Sequence, residues 1–148
     1  MKMYIDGKWV DKNEKMIVYN PYDHSEVDTV PKASLEDVDT ALGSAVKGAE
    51  IMAKVPAYHR YEILHKTAEL MKERQEDLAM TIALEEGKII SEARLEVSRA
   101  INTITLSGEE AKRIYGETIP LDAAPDSEGK FGFTIRIPCG VVVAVTPF

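Results

Sequence analysis

The apolar run from Val141 to Val145 constrains the fold more than any other feature, because it contains no polar position. A strand with one face in water alternates polar and apolar residues, so an unbroken apolar run indicates that both faces are covered, as in a parallel α/β sheet. Valine is β-branched, which favours a strand over a buried helix. The sequence therefore predicts a strand over about 140–146, and ligands of such sheets bind beyond the carboxyl ends of their strands.

Composition excludes several classes of function. The chain has 148 residues and a formal net charge of -7, whereas a nucleic-acid surface needs a basic patch. No apolar segment approaches the roughly 20 residues of a transmembrane helix, and the start of the chain lacks the apolar region of a signal peptide. The single cysteine, Cys139, forms no disulfide within the chain. We therefore expect a one-domain cytoplasmic protein that binds neither nucleic acid nor membrane.

Neither a metal site nor a catalytic residue is predicted. His24, His59 and His65 lack the spacing and the cysteine neighbours of a zinc site. We expect His24 in an exposed turn and the other two histidines at the surface or rim of a helix. Cys139 has no visible base to activate it, so we expect a buried structural thiol.

Hydrophobic periodicity and turn residues predict short strands followed by four helices. Met3 to Val10 is predicted to form a hairpin, because its central Asp-Gly dipeptide accepts the positive φ of a tight turn. Ser34, with an aspartate three residues later, is a weak capping box at the start of a helix. Further short strands are predicted over 16–19 and 26–30. The predicted helices run from Ser34 to Pro56, from Ala57 to Arg74, from Gln75 to Leu84 with Gly87 as a left-handed cap, and from Ser91 to Tyr115 with Gly116 as the stop.

Each predicted helix carries an apolar stripe that we expect to be buried. The stripes are Leu35, Val38, Leu42, Ala45, Ala49 and Met52; Tyr61, Leu64, Ala68 and Met71; Leu78, Ala79 and Ile82; and Ala93, Val97, Ala100, Ile104, Ala111 and Ile114.

Gly87-Lys88 does not form a phosphate loop, because no upstream glycine has the required spacing and Ile89 replaces the hydroxyl residue. Lys88 is therefore expected to be solvated.

Arg99 is the candidate binding residue within the helices. It lies near the buried stripe of the fourth helix, and an enclosed guanidinium needs a carboxylate or an anionic ligand. Spacing alone leaves open both a salt bridge with a nearby helical glutamate and the binding of an anion.

Farther along, Phe131 to Ile137 alternates apolar and polar residues. The alternation predicts a half-buried strand whose open edge pairs with another strand or another subunit.

A set of short motifs runs along the whole chain. The motifs, in order, are Tyr4-Ile5-Asp6-Gly7-Lys8-Trp9, Asn20-Pro21, Glu85-Glu86-Gly87-Lys88, Glu92-Ala93-Arg94, Glu96-Val97, Gly116-Glu117-Thr118-Ile119-Pro120, Arg136-Ile137-Pro138-Cys139-Gly140-Val141-Val142 and Thr146-Pro147-Phe148. This ordered set resembles the N-terminal part of the NAD(P)-dependent aldehyde dehydrogenases. Ile90 and Ile137 depart from the family pattern, which has proline and glutamate at those positions, and both lie at loops or strand ends.

The resemblance implies an α/β fold, namely the N-terminal part of an aldehyde-dehydrogenase-type Rossmann-like domain. It implies an N-terminal hairpin, a helical layer over about 34–116, a projecting oligomerisation arm over about 117–138, and a first Rossmann-type strand over about 140–146. In the family, the catalytic cysteine and the general-base glutamate lie downstream of this region. Residues 1–148 would thus be a partial NAD(P)-binding domain without the catalytic domain.

The resemblance also implies a cofactor site and a substrate residue. Thr146, Pro147 and Phe148 match the positions at which the family's backbone meets the nicotinamide end of NAD or NADP. Arg99 matches the arginine that faces the substrate in the branch acting on anionic or hydroxylated aldehydes, which includes lactaldehyde and non-phosphorylating glyceraldehyde-3-phosphate dehydrogenases. A salt bridge remains the alternative for Arg99, and Arg136 is expected to be structural.

The implied reaction is the oxidation of a small aldehyde, such as lactaldehyde or glyceraldehyde 3-phosphate, to the carboxylic acid with NAD(P)+. A thiolate attacks the aldehyde, hydride passes to the cofactor, and an activated water releases the acid. The intact protein is expected to be a homo-oligomer, a dimer or a tetramer, and this segment is expected to be inactive alone. The alternative is a non-catalytic module that assembles with full-length subunits through its edge strand. A stand-alone helical interaction domain would not explain residues 138–148.

Overall fold

Two strand pairs precede four helices, and a third strand pair follows them, in the computed structural model, which describes residues 1–146. The three pairs are antiparallel and form three separate two-stranded sheets. The α/β character predicted from the sequence is therefore confirmed. The elements are β1 (Met3–Ile5), β2 (Lys8–Val10), β3 (Lys15–Tyr19), β4 (Glu26–Pro31), α1 (Leu35–Met52), α2 (Ala57–Glu73), α3 (Gln75–Glu86), α4 (Ile90–Ala111), β5 (Thr118–Ile119), a 3-10 turn (Leu121–Ala123) and β6 (Gly132–Phe133).

The N-terminal hairpin forms as predicted from its turn residues. Asp6 and Gly7 both have positive φ, 51° and 75°, which is the geometry of a tight hairpin turn. Tyr4 pairs with Trp9 across the two strands, and their rings meet edge to face with centroids 5.0 Å apart. This aromatic contact adds side-chain packing to the backbone pairing of a sheet that has only two strands.

A complete capping box begins α1. The Asp37 amide donates to Ser34 Oγ at 3.3 Å, and the Ser34 amide donates to the Asp37 carboxylate at 2.8 Å. Lys12 Nζ, just after the first hairpin, lies 2.8 Å from the same carboxylate. These contacts lower the pKa of Asp37 to about 2, with the lysine as the largest cause and the Ser34 hydrogen bonds next. The cap thus ties the hairpin to the helical layer.

The core lies where α2 and α3 pack against α4. Its buried members are small, so the helix axes approach closely. A methyl group added at Gly108 of α4 would lie 3.4 Å from Leu64 Cβ of α2, which shows how narrow this interface is. Predicted stripe residues such as Tyr61 and Ile104 are half-buried. The buried apolar residues are Ala68, Ala79, Ala93, Val97 and Ala111.

Two helical predictions differ from the structure. No residue of α1 is buried, and Leu35, the first residue of its predicted stripe, is 85% exposed. The reason is that β1, a strand of three residues, is the main element that contacts α1 within residues 1–146, so most of this face stays uncovered. Helix α4 ends at Ala111 rather than at Tyr115, and Ile114 is exposed beyond its end.

The C-terminal strand pair is shorter than the predicted arm strand over residues 131–137. Only Gly132 and Phe133 pair, with Ile119 and Thr118 respectively. Within residues 1–146, no further strand is available to extend the ladder on the open side of Phe133. A two-stranded ribbon of this length has little backbone pairing to support it.

The predicted strand over 140–146 is absent from the structure. Residues 134–146 have no regular secondary structure, and Val145 is 91% exposed. A strand requires hydrogen-bonded neighbours, and no other strand pairs with this segment within the described residues. Cys139 is exposed for the same reason, so the prediction of a buried thiol was wrong. We refer to residues 134–146 as the valine tail.

Candidate functional site

The α3–α4 junction forms the candidate site, and Gly87 shapes it. Gly87 has a φ of 68° and ends α3 in the left-handed conformation, as the sequence predicts. Gly87 lies next to Pro21, since a Cβ added to the glycine would lie 3.5 Å from the proline Cβ and Cγ. The sharp turn lets α4 begin at Ile90 and brings the residues between the two helices beside the first turns of α4.

Lys88 joins the two helices through carboxylates. Its Nζ lies 3.1 Å from Glu86 Oε2 at the end of α3 and forms an ion pair with Glu96 Oε2 on α4. Both hydrogen bonds raise the pKa of Lys88, and the hydrogen bond to Glu96 has the larger effect. The side chain is only 26% exposed. The expectation of a solvated lysine was therefore wrong. Helical spacing could not indicate this bridge, because Lys88 lies outside both helices.

Arg99 lies one helical turn after Glu96 and is exposed rather than partly enclosed. It lines an open depression of about 350 Å³ together with Lys88, Glu92, Leu95 and Glu96. None of the ion pairs formed within residues 1–146 includes Arg99. The salt bridge to a helical glutamate, which spacing left open, is therefore not formed among the described residues. The depression presents a guanidinium that is open to an anion from solvent.

The predicted cofactor residues lie apart from this depression. Thr146 is exposed in the valine tail, whereas Pro147 and Phe148 lie outside the described residues. No residue of the valine tail lines the depression beside Arg99. Residues 1–146 thus do not bring the predicted substrate residue and the predicted cofactor residue into one site.

The three histidines lie at the surface. His24 lies in an exposed turn with a φ of 59°. His59 Nδ1 lies 2.7 Å from Glu62 Oε2, and the His65 ring stacks on Tyr61 with centroids 5.3 Å apart. All three histidines are exposed, as predicted. Within the described part of the chain, no three His, Cys, Asp or Glu residues are grouped so that they could hold a metal ion.

Arg136 and Arg60 lie beside a second open depression. Arg136 is exposed and lines an open depression beside Arg60 and Ile114. Arg60 donates a hydrogen bond to the Val55 carbonyl at 2.6 Å, while its Nε is buried without a hydrogen-bond partner in the described residues. Among the helices described, none has the length and apolar character needed to cross a membrane.

Comparison with known proteins gives a family match and related sequences. Residues 9–148 match the family described as "Aldehyde dehydrogenase family". The chain is 44% identical over 146 residues to 3-sulfolactaldehyde dehydrogenase of Priestia aryabhattai, an alignment that covers 99% of this chain and 30% of that protein. It is 40% identical over 146 residues to lactaldehyde dehydrogenase of Methanocaldococcus jannaschii, with the same coverage of 99% and 30%.

Solved structures give the same result. The chain superposes with a TM-score of 0.84 and 38% identity on aldehyde dehydrogenase 21 from Physcomitrella patens in complex with succinate, covering 89% of this chain and 28% of that one. The chain thus spans about 30% of the length of the relatives that it matches.

Proposed function

Because this chain belongs to the aldehyde dehydrogenase family, we propose that it is the N-terminal segment of an oxidoreductase that converts a small aldehyde to the carboxylic acid with NAD or NADP. The segment supplies the helical layer, the arm and the first strand of the dinucleotide-binding sheet. The nucleophilic cysteine and the general-base glutamate come from the remaining part of the protein. The match along the whole chain to relatives about three times its length supports this division.

We propose that residues 140–146 of the valine tail become a buried strand once neighbouring strands are present. The run from Val141 to Val145 has the unbroken apolar character of a strand covered on both faces. Its exposure among residues 1–146 agrees with a segment whose partners belong to another part of the enzyme. The exposed apolar face of α1 is explained in the same way, as a surface that further chain covers.

The exposed guanidinium of Arg99 is the single observation that carries the substrate proposal. An exposed guanidinium without an ion-pair partner among residues 1–146 suits an aldehyde that carries a negative charge or a hydroxyl group. Lactaldehyde carries a hydroxyl group and sulfolactaldehyde a sulfonate as well, and the enzymes named for them are 40% and 44% identical to this chain. We therefore propose a small aldehyde of this class, with glyceraldehyde 3-phosphate as another member.

The cofactor site is incomplete within residues 1–146. Thr146 is exposed in an open tail, so these residues do not enclose a dinucleotide by themselves, and no step of hydride transfer is assigned to them. We propose that the backbone of Thr146, Pro147 and Phe148 forms one edge of the site that holds the nicotinamide end of NAD or NADP. The cofactor held there would supply the hydride acceptor for the oxidation.

Assembly and location complete the proposal. Phe131 and Phe133 of the arm are exposed, with ring centroids 6.0 Å apart, and an open strand edge favours pairing with another subunit. We propose a cytoplasmic homo-oligomer, a dimer or a tetramer. The same edge supports the second candidate function, a non-catalytic module that joins full-length subunits through β6.

The proposal is tested by comparing this chain with the full-length enzyme. We expect no aldehyde oxidation by residues 1–148 alone with NAD+ or NADP+, and turnover by the full-length protein. In the latter, Arg99→Met should raise KM for glyceraldehyde 3-phosphate about tenfold or more, since a hydrogen bond to a charged group is lost, and should leave KM for propanal nearly unchanged.

The matched control is Arg94→Met, because Arg94 lies on the same helix and pairs with Glu76 at 3.0 Å instead of facing the depression. Equal effects of Arg99→Met on both aldehydes would contradict the substrate role. Turnover by residues 1–148 alone would contradict the division of the enzyme. Stable binding to full-length subunits without turnover would favour the non-catalytic module.

A further inference from the structure

We propose that Lys88 is a positioning residue that keeps Arg99 free by holding the Glu96 carboxylate. The inference rests on the proposed function in one respect, namely that Arg99 binds the anionic or hydroxylated end of the substrate. Lys88 itself then touches neither substrate nor cofactor. Its effect on the reaction passes through Glu96.

Glu96 is the carboxylate that would otherwise pair with Arg99. Side chains three and four positions apart on a helix are neighbours. The residues at those distances from Arg99 are Leu95, Glu96, Asn102 and Thr103, and only Glu96 among them is acidic. An arginine one turn after a glutamate ordinarily forms an ion pair with it, and such a pair would compete with a substrate anion for the guanidinium.

The structure shows Glu96 engaged elsewhere. Its Oε2 pairs with Lys88, which reaches α4 from the turn after α3, and Lys88 also lies 3.1 Å from Glu86. The lysine is held from two sides and is largely shielded, whereas Arg99 remains exposed in the same depression. Lys88 thus neutralises the carboxylate of Glu96, which would otherwise pair with Arg99.

This arrangement predicts what happens when the lysine is lost. Lys88→Met releases Glu96, which can then turn toward Arg99. This ion pair weakens the attraction of Arg99 for a substrate anion. In the double variant Lys88→Met/Glu96→Gln, no carboxylate at helical spacing competes for the guanidinium, so the attraction returns even though the lysine is still missing.

The test combines four variants in the full-length enzyme. Lys88→Met should raise KM for glyceraldehyde 3-phosphate about threefold, as expected for one competing helical ion pair, with kcat and the KM for propanal unchanged. Lys88→Arg, Glu96→Gln and the double variant should all retain the KM of the original protein. A double variant that stays as impaired as Lys88→Met overturns the proposal, because Lys88 would then act on the anion directly.

A second readout uses residues 1–148 alone and does not depend on activity. The Arg99 side-chain Nε–H signal in NMR should exchange rapidly with water in the original chain, more slowly in Lys88→Met, and rapidly again in the double variant. An exchange rate that Lys88→Met leaves unchanged overturns the positioning role. If the exchange rates behave as expected but Arg99→Met alters neither aldehyde selectively, the proposed substrate role of Arg99 fails and the charge arrangement stands.

Discussion

Gly116 shows how one residue permits a strand pair to form. A Cβ added to Gly116 would overlap the carbonyl oxygen of Thr134, so the two backbones approach more closely than any side chain allows. On either side of this contact, the Thr134 amide donates to the Glu117 carbonyl at 2.8 Å, and the Glu117 amide donates to Thr134 Oγ1 at 2.9 Å. The sequence predicts Gly116 as a helix stop, whereas the structure shows that it also lies against the backbone of Thr134 beside the β5–β6 pair.

Gly116→Ala is therefore expected to separate β5 from β6. The methyl group must displace the backbone of residue 134, and both hydrogen bonds to Glu117 are then lost. The measurement is the NMR contact between Thr118 and Phe133, which pair across the strands. Gly43→Ala is the matched control, because nothing lies within 4 Å of a Cβ at Gly43 on α1, and alanine should stabilise that helix by up to about 1 kcal/mol. Retention of the cross-strand contact in Gly116→Ala would contradict this account.

Helix caps and tight turns could be predicted from the sequence, because interactions between residues close in the chain determine them. The capping box at Ser34, the hairpin turn at Asp6 and the left-handed cap at Gly87 are all present as predicted. Each depends on groups a few residues apart, which the sequence displays directly. The Lys88 bridge and the exposed α1 face could not be predicted in this way, because they depend on which distant segment lies beside a given residue.

The same limit applies to the valine tail. Its sequence indicates which surroundings the segment suits, whereas pairing requires strands that residues 1–146 do not supply. At the candidate site, the sequence singles out Arg99 through family resemblance. Its lack of an ion-pair partner within the described residues follows from the geometry of the α3–α4 turn.

The α1 cap should depend on pH through Asp37. Its folded pKa, about 2, is below the value of 3.8 that describes the free side chain. The contribution of the ionised carboxylate is therefore fully present above about pH 5 and is lost as the pH falls toward about 2. We expect the stability of the original chain to fall more steeply over this range than that of Asp37→Asn, which is less stable at neutral pH. Denaturant unfolding followed by circular dichroism measures the difference.

Asp39→Asn is the control for this comparison, since it removes an exposed carboxylate from the same helix without touching the cap. Parallel stability profiles for the original chain and Asp37→Asn would show that the cap carboxylate contributes nothing. Ser34→Ala should destabilise the fold by about 1 kcal/mol, because the hydroxyl acceptor of the capping box is removed.

At the scale of the whole molecule, residues 1–146 leave much apolar surface uncovered. Within this range, the buried apolar core consists of four alanines and one valine, whereas large apolar residues of α1, the arm and the valine tail lie in contact with water. Val142, Val143 and Val145 are all more than 70% exposed. Apolar surface of this extent favours association with other chains.

Val143→Lys/Val145→Lys should therefore reduce the self-association of residues 1–148 at high concentration. The two charges keep the tail solvated and oppose edge-to-edge pairing. Light scattering and size-exclusion chromatography measure the change, with Ala123→Lys/Ala124→Lys as the control that adds the same two charges at exposed positions. If this control reduces association equally, the added lysines rather than their place in the valine tail govern it.

The three sheets have a consequence for biosynthesis, because the described strands pair two by two, each with a neighbour in sequence. A hairpin of this kind can form as soon as its second strand leaves the ribosome, without waiting for a distant partner. Helix α2 is different, since its apolar stripe packs on α4. During translation, this stripe must therefore remain uncovered until the segment ending at Ala111 has been synthesised, and a chaperone can bind it in this interval.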